Sequence, residues 1–195
     1  MNTRLASFVA LMGMIGSAAI GRAETFRNGD VVLIGGRTGA GQAVSAADPS
    51  RAGGGHCGII VLRDDVPWLI HADVYAAAVV ALPWSDYPPV RDSTDLYILL
   101  RHDDASAADR AAGIAMQFVE QRVPFDTAFN DTDAGRLYCT ELVLVAYARA
   151  SAALVVPERM RVRMPFVSNR IVHPAGLMSA PGLNEISRSE GNGEQ

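Results

Sequence analysis

The chain has 195 residues, enough for one domain with an ordinary core, and its 49% hydrophobic content excludes a disordered protein. The formal charge is −4, and all 17 basic residues are scattered arginines, so there is no electrostatic footprint for nucleic acid. Two cysteines, Cys57 and Cys139, are too few for a disulfide scaffold.

Taken in chain order, the first segment reads as an export signal. Arg4 precedes an apolar run from Leu5 to Ile20, and Gly21-Arg22-Ala23 places small residues at the −3 and −1 positions of a cleavage site. The run is short and rich in Ala, Gly and Ser, which argues against a membrane anchor. Residues 1–23 are therefore expected to be a signal peptide, 24–185 the domain, and 186–195 a polar tail. The expected location is periplasmic or secreted, with no stable membrane span after cleavage.

Asn28-Gly29-Asp30 is a turn, and Val31 to Ile34 reads as a buried strand. The glycine-rich stretch 35–55 reads as a loop. Gly58–Leu62 and Trp68–Ala72 flank Asp64-Asp65 and read as a hairpin. Tyr75–Leu82 and Leu96–Leu100 are further strand candidates. A helix is expected over 106–122, with Ser106 and Asp109 as a capping box and Val123-Pro124 as its end. A loop rich in Asp and Asn leads to a second helix, Tyr138 to Ala150. On that helix Cys139, Leu142, Val143, Ala146, Tyr147 and Ala150 share a face. Strands first and helices later predict an α+β domain with an antiparallel sheet packed on helices.

Cys139 opens the second helix, where unpaired amides favour a thiolate and can hold an oxyanion. A buried core cysteine is the competing reading. His56 opens the strand His56-Cys57-Gly58-Ile59-Ile60-Val61. Strand alternation sends His56 and Cys57 to opposite faces, so Cys57 should enter the core away from a site at His56. This argues against a Cys57–Cys139 disulfide. In the hairpin, position 56 falls opposite either His71 or Asp73, and both registers put His71 on the face of His56. His71 is the first choice to orient a histidine base, and Asp73 the second.

In order, the chain carries Gly29-Asp30-Val31-Val32, then His56-Cys57-Gly58-Ile59-Ile60, then Ile70-His71-Ala72. These segments resemble the NlpC-type papain-like superfamily. Tyr138-Cys139-Thr140-Glu141-Leu142-Val143 puts the cysteine after the histidine, and this order resembles the circularly permuted YiiX/YebB-like branch. Pro124-Phe125-Asp126, Phe129 and Ile171-Val172-His173-Pro174-Ala175-Gly176-Leu177 also look like that branch. The resemblance spans roughly residues 28–185. It implies a permuted papain-like fold, with Cys139 as nucleophile, His56 as base and His71 as third polar residue. Cys57 departs from the aliphatic residue usual after the histidine. Glu141 suits a helix cap as well as catalysis.

The resulting expectation is an exported cysteine hydrolase cleaving an amide or peptide bond, such as cell-wall peptide, through a thioester. Tyr138, Asp73 and Trp84 are the candidate substrate contacts; Trp68, Trp84 and Tyr87 are candidates to line a substrate cleft, although core packing suits each of them better. Two alternatives stand beside it. One is a lipid-directed acyl hydrolase or acyltransferase, since lecithin–retinol acyltransferase-like proteins share the permuted order. The other is a non-catalytic domain that binds peptide or lipid. No cofactor is expected. The glycine-rich loop has no lysine for a phosphate site. Asp126, Asn130, Asp131 and Asp133 lack calcium-loop spacing. His56, His71 and Cys139 are zinc-type ligands without a close-spaced pair.

Overall fold

The computed structural model of the chain describes residues 25–35, 54–87, 97–130, 133, 135–163 and 170–189. The expected signal peptide, most of the glycine-rich loop and Asp131 lie outside them. Strands β1 (Val31–Ile34), β2 (His56–Arg63), β3 (Val66–Asp73), β4 (Ala78–Pro83) and β5 (Tyr97–His102) come first. Helices α1 (Ala105–Glu120) and α2 (Cys139–Arg149) follow. The short strands β6 (Arg161–Arg163) and β7 (Arg170–Val172) and the edge strand β8 (Leu183–Arg188) complete the order.

Six strands form one antiparallel sheet in the order β4-β3-β2-β1-β5-β8, and β6 pairs with β7. Every residue of Val31-Val32-Leu33-Ile34 is buried, because β1 lies mid-sheet with apolar cover on both faces. On one face Leu33, Cys57, Ile59 and Ile70 pack against Ala111, Ala115, Phe118, Leu142, Val143 and Ala146 of the two helices. On the other face Val32, Ile34, Ile60 and Leu69 pack with Trp84, joined by Phe26, Tyr87 and Tyr97.

Asp64 and Asp65 both adopt positive φ, 50° and 61°, and make the two-residue turn between Arg63 and Val66. That turn follows the right-handed strand twist and fixes the register. Ile59 pairs with Ile70, so Asp73 rather than His71 comes level with His56.

Three boundaries differ from the sequence expectation. Helix α1 starts one residue early, capped by Asp104 rather than Ser106. The Asp104 carboxylate accepts from the Ser106 and Ala107 amides at 2.9 and 3.1 Å. Residues 186–188 belong to β8, where Arg188 pairs with Ile98, so the polar tail begins later than residue 186. Strand β4 starts at Ala78 rather than Tyr75 and runs on through Pro83, which an edge strand tolerates because it does not need that amide.

Candidate active site

The site lies at the end of the sheet where β2 begins. Helix α2 packs on β2 and delivers Cys139 in its first turn. Glu141, only 4% exposed, accepts from the Tyr138 backbone amide at 3.4 Å and holds the start of the helix. Its carboxylate thus acts as an N-terminal cap and complements the helix dipole. Upstream, the loop is pinned by Asp126, which accepts from the amides of Ala128 at 2.8 Å and of Asn130. That carboxylate is spent on its own loop. Asp126 and Phe125 are further tied to Leu137 and Ala77 through their amides, at 3.1 and 3.0 Å.

His56 and His71 meet directly, with Nε2 of His56 2.9 Å from Nδ1 of His71. The register makes this a diagonal pair, and Gly58 lets it close. A Cβ on Gly58 would lie 2.5 Å from the Ile70 carbonyl oxygen and 3.2 Å from the His71 Cβ. His56 is half-buried, whereas His71 is only 4% exposed. Burial and then the neighbouring His56 push the His71 pKa down to about 3, so His71 is neutral at physiological pH. Asp73 opposes this weakly, and its carboxylate caps the β3–β4 turn by accepting from Tyr75 and Ala76 at 2.7 and 3.1 Å.

Cys139 lies near enough to Cys57 and to His56 for both to act on its titration, and both cysteines are free thiols. The neighbouring Cys57, and after it His56, hold the Cys139 thiol well below its usual range although partial burial opposes this. Cys57 moves the other way: burial, then Cys139, pushes it well up. Alternation does place Cys57 in the helix-facing core, fully buried. The expectation that this keeps Cys57 away from Cys139 is corrected, since the two thiols interact. Cys139 sits in the first turn of a helix laid over β2, so the helix side brings Cys57 to it, while His56 reaches it from the end of the strand.

The remaining expected contacts occupy other positions. Tyr138 is 1% exposed; its hydroxyl accepts from the Val172 amide at 3.4 Å and its ring packs on Phe129. It anchors the helix start from within the core instead of facing a substrate. Trp84 is buried on the outer face and reaches the histidines only through Tyr87. Tyr87 stacks on Trp84 and on His56 with interplanar angles of 1° and 9°, and meets His71 edge-on at 5.6 Å between ring centres. The sequence offered Tyr87 as a cleft-lining or a core aromatic, and the fold places it beside the two histidines. The spacing of 84 and 87 was the available signal, but only the tertiary fold brings that turn over β2 and β3.

Among the described residues, a concavity of about 550 Å³ lies at the opposite end of the sheet, lined by Arg27, Asp30, Arg101 and His102. There Asp30 and Arg101 neutralise each other at 2.7 Å.

No protein-family model matches the chain, and no curated protein matches it. Among solved structures it is similar to metalloprotein yiiX from Escherichia coli O157:H7 (DUF1105), with a TM-score of 0.67 and 18% identity. The match covers 85% of this chain and 99% of that chain. That protein is called a metalloprotein. In this chain, no group of three or more His, Cys, Asp or Glu side chains among the described residues stands close enough to hold an ion. The facing nitrogens of His56 and His71 are spent on each other. The described residues therefore do not fit a metal centre. At this identity the likeness is one of fold: the chain has a YiiX-like α+β fold, an antiparallel sheet packed against helices.

Proposed function

We propose that the chain is an exported cysteine hydrolase of the permuted papain-like type, cleaving an amide or peptide bond such as that of cell-wall peptide. One observation carries the reading: Cys139, at the start of α2, has its thiol held down in part by the neighbouring His56, whose far nitrogen lies 2.9 Å from the buried His71.

The chemistry follows from the tautomers. Neutral His71 carries its hydrogen on Nε2 and accepts at Nδ1 from the Nε2–H of His56. His56 Nδ1 then presents a lone pair to the Cys139 thiol and takes its proton. The Cys139 thiolate attacks the substrate carbonyl carbon, and amides in the first turn of α2 stabilise the oxyanion. His56 returns the proton to the leaving amine as the thioester forms. Water, deprotonated by His56, attacks the thioester, and the acid leaves as Cys139 is restored. Tyr87 holds the His56 ring plane and shields the histidine pair from solvent.

Alkylation kinetics test this. Cys139 should react with iodoacetamide at about pH 6, well below the ~8.5 of a free thiol, and Cys139→Ala should abolish the reaction. If the thiol reacts no faster than free cysteine, the enzyme reading fails. A panel of peptide amides and acyl esters then separates an amidase from a lipid-directed acyl hydrolase. Export is checked by the mature N-terminus, expected at Glu24.

A further inference from the structure

Cys57 is unused by the hydrolytic cycle, yet it is a fully buried thiol beside the nucleophile. Its sulfur lies 3.8 Å from the Thr140 hydroxyl, and the Cys139 sulfur lies 3.9 Å from the same oxygen. The two sulfurs therefore face a common point on Thr140, close enough for each to act on the titration of the other. These are the only cysteines in the chain. Their settings differ in the way an oxidisable pair needs. Cys139 is only partly buried, near an imidazole and at a helix start, whereas Cys57 is sealed in the core. Susceptibility to oxidation follows thiolate character and access, and both belong to Cys139.

We infer that Cys139 and Cys57 form a hydroperoxide-oxidisable pair, in which Cys139 takes the oxygen and Cys57 closes a disulfide that masks the nucleophile. The inference rests on the proposed role of Cys139 as a reactive thiolate. In the first step the Cys139 thiolate attacks one peroxide oxygen. The S–O bond forms as the O–O bond breaks, and the departing hydroxide (or alkoxide) takes the proton held by His56. The sulfur is oxidised by two electrons to the sulfenic acid and the peroxide is reduced to water or alcohol. In the second step the Cys57 sulfur attacks the Cys139 sulfur. The S–S bond forms, the S–OH bond breaks, and the hydroxide leaves as water with the Cys57 proton. Burial holds that proton on Cys57, so the second step is the slower one. An external thiol restores both cysteines and the hydrolase.

The experiment uses the full processed chain and hydrogen peroxide as the probe. After peroxide treatment and denaturation in iodoacetamide, neither cysteine should be alkylated, the chain should run as a monomer on a non-reducing gel, and dithiothreitol should restore both sites. Cys57→Val, with an aliphatic residue of similar size, should stop at a sulfenic acid that dimedone traps on Cys139. Peroxide treatment that leaves Cys57 alkylatable, with Cys139 over-oxidised or joined to a second chain, overturns the inference. Because the wild-type readout is thiol state, it is decided even if the variant fails to fold. It is also separate from turnover. A disulfide in a chain that hydrolyses nothing refutes the hydrolase reading alone, whereas hydrolysis and fast alkylation without a disulfide refute the switch alone.

Discussion

At the residue scale, the proposed hydrolase depends on one neutral histidine orienting another. His71 is 4% exposed and its pKa is pushed down to about 3, so it stays neutral, and in the proposed tautomer it accepts from His56. His71→Ala removes the acceptor, frees the His56 ring to adopt the wrong tautomer, and should lower kcat by roughly 10²–10⁴-fold, the usual contribution of a positioned base. His71→Asn, whose side-chain oxygen can accept the same hydrogen, should recover at least part of that loss. Hydrolysis rates of the two variants on one amide substrate check this. Equal rates for Asn and Ala would mean that His71 is a packing residue only. Cys139 was a helix-start cysteine in the sequence, equally compatible with a core position. What distinguishes it in the fold is contact with His56, which no spacing along the chain reveals.

At the element scale, two local devices hold the geometry. Glu141 caps α2 through the Tyr138 amide. Glu141→Ala should destabilise the protein by about 1 kcal/mol, while Glu141→Gln, which keeps an acceptor, should cost less. Urea unfolding measures both, and a larger effect of Gln than of Ala would contradict the capping role. Gly58 allows β3 to approach β2 beside the histidines. Gly58→Ala would drive its Cβ into the Ile70 carbonyl, 2.5 Å away. The strand must shift, so overpacking should cost about 1–3 kcal/mol and pull His71 off His56. The expected outcome is a lower unfolding midpoint together with slower alkylation of Cys139. The sequence exposed the hairpin itself, because Asp64-Asp65 interrupts two apolar runs. It left two registers open, since both keep the apolar face buried. The two-residue turn and packing against β4 selected one.

At the scale of the whole molecule, the buried His71 links stability to pH. Its folded pKa is depressed from 6.5 to about 3, so it remains neutral in the folded chain while the unfolded chain takes up a proton. The sign is fixed: this stability is fully present above about 6.5 and is lost as pH falls from there toward 3. The slope is about 1.4 kcal/mol per pH unit for one proton. Urea unfolding at about pH 7 and pH 5 should show a smaller acid-induced loss in His71→Asn than in the wild type, by about 2 kcal/mol. Equal losses would place His71 in contact with solvent. Among the described residues no helix is long and apolar enough to cross a membrane.

The sequence by itself determined the order of strands and helices up to residue 150, the α+β class, the buried strand β1 and the face of α2 that enters the core, but not β6, β7 or the edge strand β8. These rest on local periodicity and turn chemistry, which neighbours a few residues away enforce. It also nominated Cys139, His56 and His71. Only the tertiary structure decided that Cys139 meets both His56 and Cys57. Alternation governs where a side chain leaves its own strand, but not what a helix lays across the end of that strand. The same packing moved Tyr138 into the core, made Glu141 a cap, and brought Tyr87 over the two histidines. The cysteine–histidine pair is thus legible as residue types at two element starts, and it becomes a site because α2 and β2 begin at the same end of the sheet.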